Sequence, residues 1–335
     1  MVSLLAWRMT CLTSSAMSGL DVNQSVLSPV GSQASSIHAL WVLMLWVCSG
    51  VFLAVMTALL LSLIRGISNR SKDESGFASE RTLTRSVGTA VGVTVVILIL
   101  LLVASVWASR TVGSLQASSA VTIAITGHQW WWEIQYEDAV PSRRVVTANE
   151  LHIPINRPVV LKVTSRDVIH SFWVPNLQGK RDLIPGYTTA IWLRADRAEF
   201  FRGQCAEFCG MQHAHMALDV VAESDRDFDG WLEAMRQPGR DPPESVRRGR
   251  DIFMQGRCAT CHAIRGTAAA GQIAPDLTHI ATRSTLGAGT LPNTPENLAA
   301  WIQDPQRLKP GNQMPANPLQ ADDVRALVAY LETLR

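Results

Sequence analysis

The pattern of apolar and polar positions divides the chain into three regimes. Residues 39–64 contain no charged side chain, and residues 86–109 form a second run of the same kind. A bilayer core takes about 20 predominantly apolar residues per helix, so each run is long enough to cross one. From residue 120 to 224 the period falls to two. Val121, Ile123 and Ile125 alternate with small or polar residues, and Pro158-Val-Val-Leu-Lys-Val-Thr164 is another β-rich stretch. Turn signals stand at Asn156-Arg-Pro158 and Pro185-Gly186. Short strands broken by such turns predict a compact β-sandwich or barrel. Residues 228–235 read as a short helix, and a Pro/Gly-containing linker follows at 237–243. Helical periodicity at 245–255, 294–303 and 321–334 then predicts a small, mainly α domain.

Charge orients this layout. Arg65, Arg70, Lys72, Arg81 and Arg85 lie between the apolar runs, whereas the Ser-rich segment 1–36 holds only Arg8. The positive-inside rule places the loop between the spans in the cytoplasm, and both termini and everything after Arg110 outside it. In segment 1–36 an apolar run precedes Arg8, the reverse of the order in a signal peptide; it reads either as a signal-like segment or as a polar leader. With a net charge of +2, nothing points to nucleic acid, and none is expected as a partner. A charged fraction of 17% with 11 tryptophans agrees with a chain partly in lipid.

The cysteines bring in chemistry. Four of the six form two tight pairs, Cys205/Cys209 and Cys258/Cys261, which points to cofactor ligation and attachment rather than a disulfide framework. Cys48 lies in an apolar run and reads as packing; Cys11 carries no reading. In Cys205-Ala-Glu-Phe-Cys209-Gly-Met-Gln-His213-Ala-His-Met216, two thiols, an imidazole and a thioether share one short stretch, and Ile169-His170-Ser-Phe-Trp-Val-Pro175 supplies a second imidazole. Soft sulfur with imidazole suits copper, not magnesium or calcium. A structural zinc site of two Cys and two His is the rival, and the thioether and the surrounding chain favour copper.

Cys258-Ala-Thr-Cys261-His262 is the c-type haem attachment pattern: two thiols add to the vinyl groups and the adjacent imidazole reaches the iron. The pair could instead be a redox dithiol or half a zinc site, but no second CxxC follows. Met314, in Lys309-Pro-Gly-Asn-Gln-Met314-Pro, is the expected sixth ligand, and His/Met ligation favours electron transfer.

Together with Gly127-His-Gln-Trp-Trp-Trp132, these motifs from about Ile37 onward resemble subunit II of the haem–copper cytochrome c oxidases, in the caa-type form with a fused cytochrome c. The resemblance implies a multidomain chain. Its parts are a two-helix transmembrane hairpin (37–110, spans about 39–64 and 86–109), a cupredoxin-like β-sandwich or barrel (118–236), the linker (237–243) and a small all-α class I cytochrome c domain (244–335). It implies a binuclear copper-A centre bridged by Cys205 and Cys209, with His170 and His213 each on one copper. Met216 and the Glu207 carbonyl are then axial, and the Glu207 side chain reaches a magnesium shared with subunit I. Trp130 is the residue through which electrons reach copper-A, and Asp182 matches an acid near the subunit junction. His215 falls outside the ligand spacing and reads as solvent-facing or second-shell.

The implied function is that of the electron-accepting subunit of a bacterial cytochrome c oxidase, an oxidoreductase and proton-pumping complex of the cytoplasmic membrane. Electrons are expected to pass from a soluble or membrane cytochrome c-type donor to haem c, then to copper-A and to subunit I, where dioxygen is reduced. The copper-A subunit of a nitric oxide reductase-type complex is the alternative. The sequence departs from the family at Thr82-Leu-Thr-Arg-Ser-Val-Gly88, where an acidic residue often begins the second span; Glu80 is nearby, and no proton-uptake residue is assigned.

Overall fold

The computed structural model describes residues 24–68, 79–113, 120–239 and 242–335. Most of the leader, with Cys11, and the part of the inter-helix loop bearing Arg70 and Lys72 lie outside the described residues, as do positions 240–241 of the linker.

Both apolar runs are helices, α1 (Ser32–Ser68) and α2 (Glu80–Gly113), and they pack against each other. Their large apolar side chains, such as Phe52, Leu63, Leu98 and Leu102, stay exposed, which suits lipid rather than a protein core. At 1.5 Å per residue, α1 is about 55 Å long, more than a bilayer core requires. Its first turn accordingly belongs to the β-domain. Val30 and Ala34 are buried there, and the N–H groups of Val30 and Gly31 donate to the Asn176 carbonyl at 2.8 and 3.0 Å. Residues 24–36 are therefore tied to the β-domain. The cause is packing against residues far along the chain, which local composition does not reveal.

The β-domain holds ten strands: β1 (Val121–His128), β2 (Trp131–Tyr136), β3 (Val145–Ala148), β4 (Glu150–Pro154), β5 (Val159–Ser165), β6 (His170–Trp173), β7 (Arg181–Leu183), β8 (Thr189–Leu193), β9 (Glu199–Cys205) and β10 (Ala217–Glu223). They form two five-stranded sheets, ordered β3-β2-β1-β5-β8 and β4-β10-β9-β6-β7. The alternation buries Ile123 and Ile125 of β1 with Leu161 and Val163 of β5, and these meet Phe172, Phe201 and Leu218 from the other sheet. Helix α3 (Asp225–Arg236), capped by the Ser224 hydroxyl on the Asp227 N–H, seals one end with Phe228 and Met235.

The last domain contains α4 (Arg247–Gln255), the short turn α5 (Cys258–Cys261), a small hairpin of β11 (Thr285–Leu286) and β12 (Leu291–Pro292), α6 (Pro295–Gln303), α7 (Pro305–Leu308) and α8 (Ala321–Leu331). Helices α4 and α8 cross at Gly249, where an added Cβ would lie 1.9 Å from the Ala326 carbonyl oxygen. Only glycine permits that approach.

Candidate metal centre and haem pocket

Residues 205–216 are the loop joining β9 to β10, closed where the Cys205 N–H donates to the Met216 carbonyl at 2.9 Å. Strand β6 pairs with β9 through Phe172 and Cys205, so His170, the first residue of β6, arrives beside the loop. The Cys205 and Cys209 sulfurs stand 3.8 Å apart. His170 Nδ1 lies 3.9 Å from the Cys205 sulfur and His213 Nδ1 3.6 Å from that of Cys209. Met216 Sδ is 4.0 Å from the Cys209 sulfur, and the Glu207 carbonyl oxygen 3.2 Å from that of Cys205. All the donors expected from the sequence converge, and this set of two thiols, two imidazoles, a thioether and a carbonyl fits copper. The Glu207 side chain is exposed.

Hydrogen bonding between the two sulfurs pulls the Cys205 thiol down to about 3 and pushes Cys209 upward, so the pair shares one proton that an arriving metal would displace. Asp167, which sequence reasoning passed over, orients His170. Its Oδ1 is 2.8 Å from His170 Nε2, leaving Nδ1 for the sulfur side. The same carboxylate accepts the N–H groups of Gln129 and Val168, both at 2.7 Å. The signal available in the sequence was an acid three residues before a ligand histidine.

Trp130 lies in the two-residue turn between β1 and β2, because the hairpin reverses at Gln129 and Trp130. Its Nε1–H donates to the Cys209 carbonyl at 2.9 Å, and Gln129 Nε2 donates to the same oxygen at 2.8 Å. Gly210, at φ +110°, allows the approach, since a Cβ there would sit 3.0 Å from the indole. Trp131 stacks on His128 with ring centroids 4.3 Å apart, and Trp132 is buried core. His215 is exposed, with Nδ1 2.7 Å from Gln212 Oε1; Asp182 is exposed on β7, and Glu80 is exposed at the start of α2.

In the last domain Cys261, His262 and Met314 line one cavity, and Cys258 packs half-buried against the domain core. His262 Nδ1–H donates to the Pro275 carbonyl at 2.7 Å, which leaves Nε2 as the unprotonated nitrogen. Burial, the largest influence, lowers its pKa and keeps the ring neutral. The Met314 loop is fastened by Gln306 Nε2, donating to the Met314 carbonyl at 2.8 Å, and by the Met314 N–H on Asn312 Oδ1 at 2.8 Å. Arg283, 8% exposed, also lines the cavity. It donates from Nη2 to the Asp276 carbonyl, while its Nε has no partner among the described residues. A buried, unfilled donor beside an apolar cavity suits a porphyrin with acidic side groups. Trp130 and Trp131 of the β-domain line the same cavity.

Comparison with known proteins agrees with this geometry. Residues 141–224 match the family "Cytochrome C oxidase subunit II, periplasmic domain", and residues 246–335 match "Cytochrome c". Cytochrome c oxidase subunit 2 of Alkalihalophilus pseudofirmus is 41% identical over 219 residues, covering 65% of this chain and 62% of that one. The corresponding Bacillus subtilis protein is 31% identical over 232 residues, covering 66% and 64%. The crystal structure of the periplasmic domain of subunit II of cytochrome oxidase from Bradyrhizobium japonicum is 31% identical, covering 36% of this chain and 96% of that one with a TM-score of 0.34. The matched region thus spans a little under two thirds of the two full-length relatives. The chain thus joins two apolar helices that fit a membrane anchor to a cytochrome c oxidase subunit II domain with copper-type ligands and a cytochrome c domain with a haem-attachment turn.

Proposed function

We propose that this chain is the electron-accepting subunit II of a bacterial haem–copper oxidase, anchored by two membrane spans with its two redox domains on the extracytoplasmic side. When bound, haem c and copper supply one-electron carriers. Cys205, Cys209, His170, His213, Met216 and the Glu207 carbonyl would hold the copper. Cys258 and Cys261 would hold the haem covalently, with His262 and Met314 on its iron. The Glu207 side chain, exposed beside the loop, would be free to reach a magnesium shared with subunit I.

The chain's own contribution is positioning. Asp167 fixes the His170 ring, Gln306 and Asn312 fasten the Met314 loop, and burial keeps both thiols of the metal loop and the His262 ring from bulk water. The observation that carries the reading is the double contact of Trp130, which lines the haem cavity and donates to the Cys209 carbonyl. A cytochrome c-type protein would deliver electrons, and subunit I would receive them for dioxygen reduction coupled to proton pumping. The test is to purify the chain in mild detergent with whatever co-migrates and measure copper, haem and dioxygen uptake with a reduced c-type cytochrome. Uptake that disappears when copper is withheld supports the proposal; a complex without dioxygen uptake refutes it.

A further inference from the structure

The two extramembrane domains are not beads on a string. Across their boundary the Ala217 N–H donates to the Ala288 carbonyl at 3.1 Å, the Ser284 N–H to Glu150 Oε2 at 2.8 Å, and the Thr285 hydroxyl to Asp219 Oδ2 at 2.7 Å. Gln212, in the metal loop, donates from Nε2 to the Pro310 carbonyl at 2.7 Å. Gly311, at φ +82°, lies where a Cβ would come 3.3 Å from Met211 Sδ and 3.9 Å from the Trp130 ring.

At the centre of this boundary is Lys309, only 2% exposed. Its Nζ donates to the carbonyls of Trp130 at 2.9 Å, His215 at 2.8 Å and Gly287 at 2.7 Å. Those three bonds use every donor an ammonium has. Two of the acceptors belong to the β-domain, one in the Trp130 turn and one in the metal loop. A buried charge is tolerated only where its hydrogen bonds are all made, so Lys309 is satisfied only while the domains are docked. Burial draws its pKa down to about 7, the mark of a costly position that the three carbonyls must offset. The residue also begins the loop that ends in Met314, so whatever holds Lys309 holds one side of the haem cavity.

We infer that the face formed by Trp130, Met211, Gln212 and His215 is a docking surface for the chain's own loop 309–311, and that Lys309 is the positioning residue that locks the haem cavity onto Trp130. The role in electron transfer rests on the function proposed above; the docking itself does not. The last domain rides in one fixed seat instead of sampling positions on its linker. An external donor then meets the haem domain, because the Trp130 face is already covered.

The experiment uses the full chain, loaded with copper and haem in mild detergent, as wild type, Lys309→Met and Gln212→Ala. The first readout is amide hydrogen exchange, which is independent of either cofactor's reactivity. Exchange at Ala217 and Ser284, whose N–H bonds cross the boundary, should rise by about tenfold or more in Lys309→Met, because buried carbonyls lose their partner. Ile125 in the β-core and Val328 in α8 should keep wild-type protection. Gln212→Ala should show the same pattern more weakly. The second readout is the rate of electron passage between haem and copper after photoreduction. It should fall by a similar factor with both absorption spectra unchanged.

Wild-type exchange at Ala217 and Ser284 in Lys309→Met overturns the inference, as does an unchanged electron-passage rate. Equal loss of protection at Val328, or loss of the Met-ligated haem spectrum, also overturns it, since Lys309 would then serve only its own domain's fold. If the wild-type chain bound no copper pair, the functional reading would fail, while the exchange data would still decide the docking.

Discussion

Trp130 and Cys209 are joined by a 2.9 Å hydrogen bond from indole nitrogen to main-chain carbonyl, and Trp130 also lines the cavity that His262 and Met314 line. One residue thus touches both the metal loop and the haem cavity. Its 9% exposure leaves little of it for any other contact.

Replacing Trp130 by Phe keeps an aromatic ring and removes the hydrogen bond. Both cofactor spectra should persist, while electron passage from haem to copper slows by about tenfold or more, as small misplacements near reacting centres do. Photoreduction followed at haem and copper wavelengths measures it, and an unaltered rate would remove Trp130 from the path.

Asp167 acts through His170. Changing it to Asn keeps the side chain's shape but removes the charge that accepts from His170 Nε2, Gln129 N–H and Val168 N–H. Copper affinity should drop by about 10- to 100-fold, the usual effect of losing a carboxylate behind a ligand histidine. Competition with a chelator of known affinity checks this, with the β-domain's circular dichroism unchanged.

His152 makes stability depend on pH. Burial, the largest influence, disfavours its charged form, but hydrogen bonds to Glu150 at 3.2 Å and Glu223 at 2.8 Å outweigh it and raise the pKa above 6.5. A raised folded-state value means the stabilisation is complete below pH 6.5 and is lost as pH climbs through the folded pKa. For Glu150, burial is again the largest influence and is again outweighed, so its pKa falls below 4.5; its share is present above that pH and lost on acidification through the lowered value. Thermal midpoints measured across pH should therefore decline on both sides, and His152→Gln should flatten the alkaline limb and also weaken the acid limb, because His152 is the main group that lowers the Glu150 pKa.

At Gly249 the two long helices of the last domain nearly touch. Gly249→Ala would push its methyl into the Ala326 carbonyl and should destabilise that domain by about 1–3 kcal/mol, as overpacking does. A lower denaturation midpoint followed in the haem absorption band would register it, with the copper spectrum untouched.

The parts of this molecule legible in the sequence are those encoded by neighbours along the chain. The spacing from Cys205 to Met216 fits a single interstrand loop, Cys258 to His262 a single turn, and the uncharged runs helices α1 and α2. Thr294, where the helical periodicity begins, caps α6 by accepting from the Asn297 N–H. What stayed hidden depends on contacts between distant segments. Val30 joins the β-core because residue 176 receives its N–H, Trp130 falls in a turn because β1 pairs with β2 up to His128 and Trp131, and Lys309 is buried because carbonyls from residues 130, 215 and 287 surround it. Asp167 was readable only in hindsight, since many acids stand three residues from a histidine without orienting it.

The central claim is that Cys205 and Cys209 together hold two coppers sharing one electron. Low-temperature paramagnetic resonance of the oxidised, copper-loaded full chain, with copper counted per chain, tests it most directly. A multi-line signal from an electron spread equally over both nuclei, at two coppers per chain in addition to the haem, is the expected result. A four-line signal from one localised copper, or a silent site filled with zinc, would contradict the account.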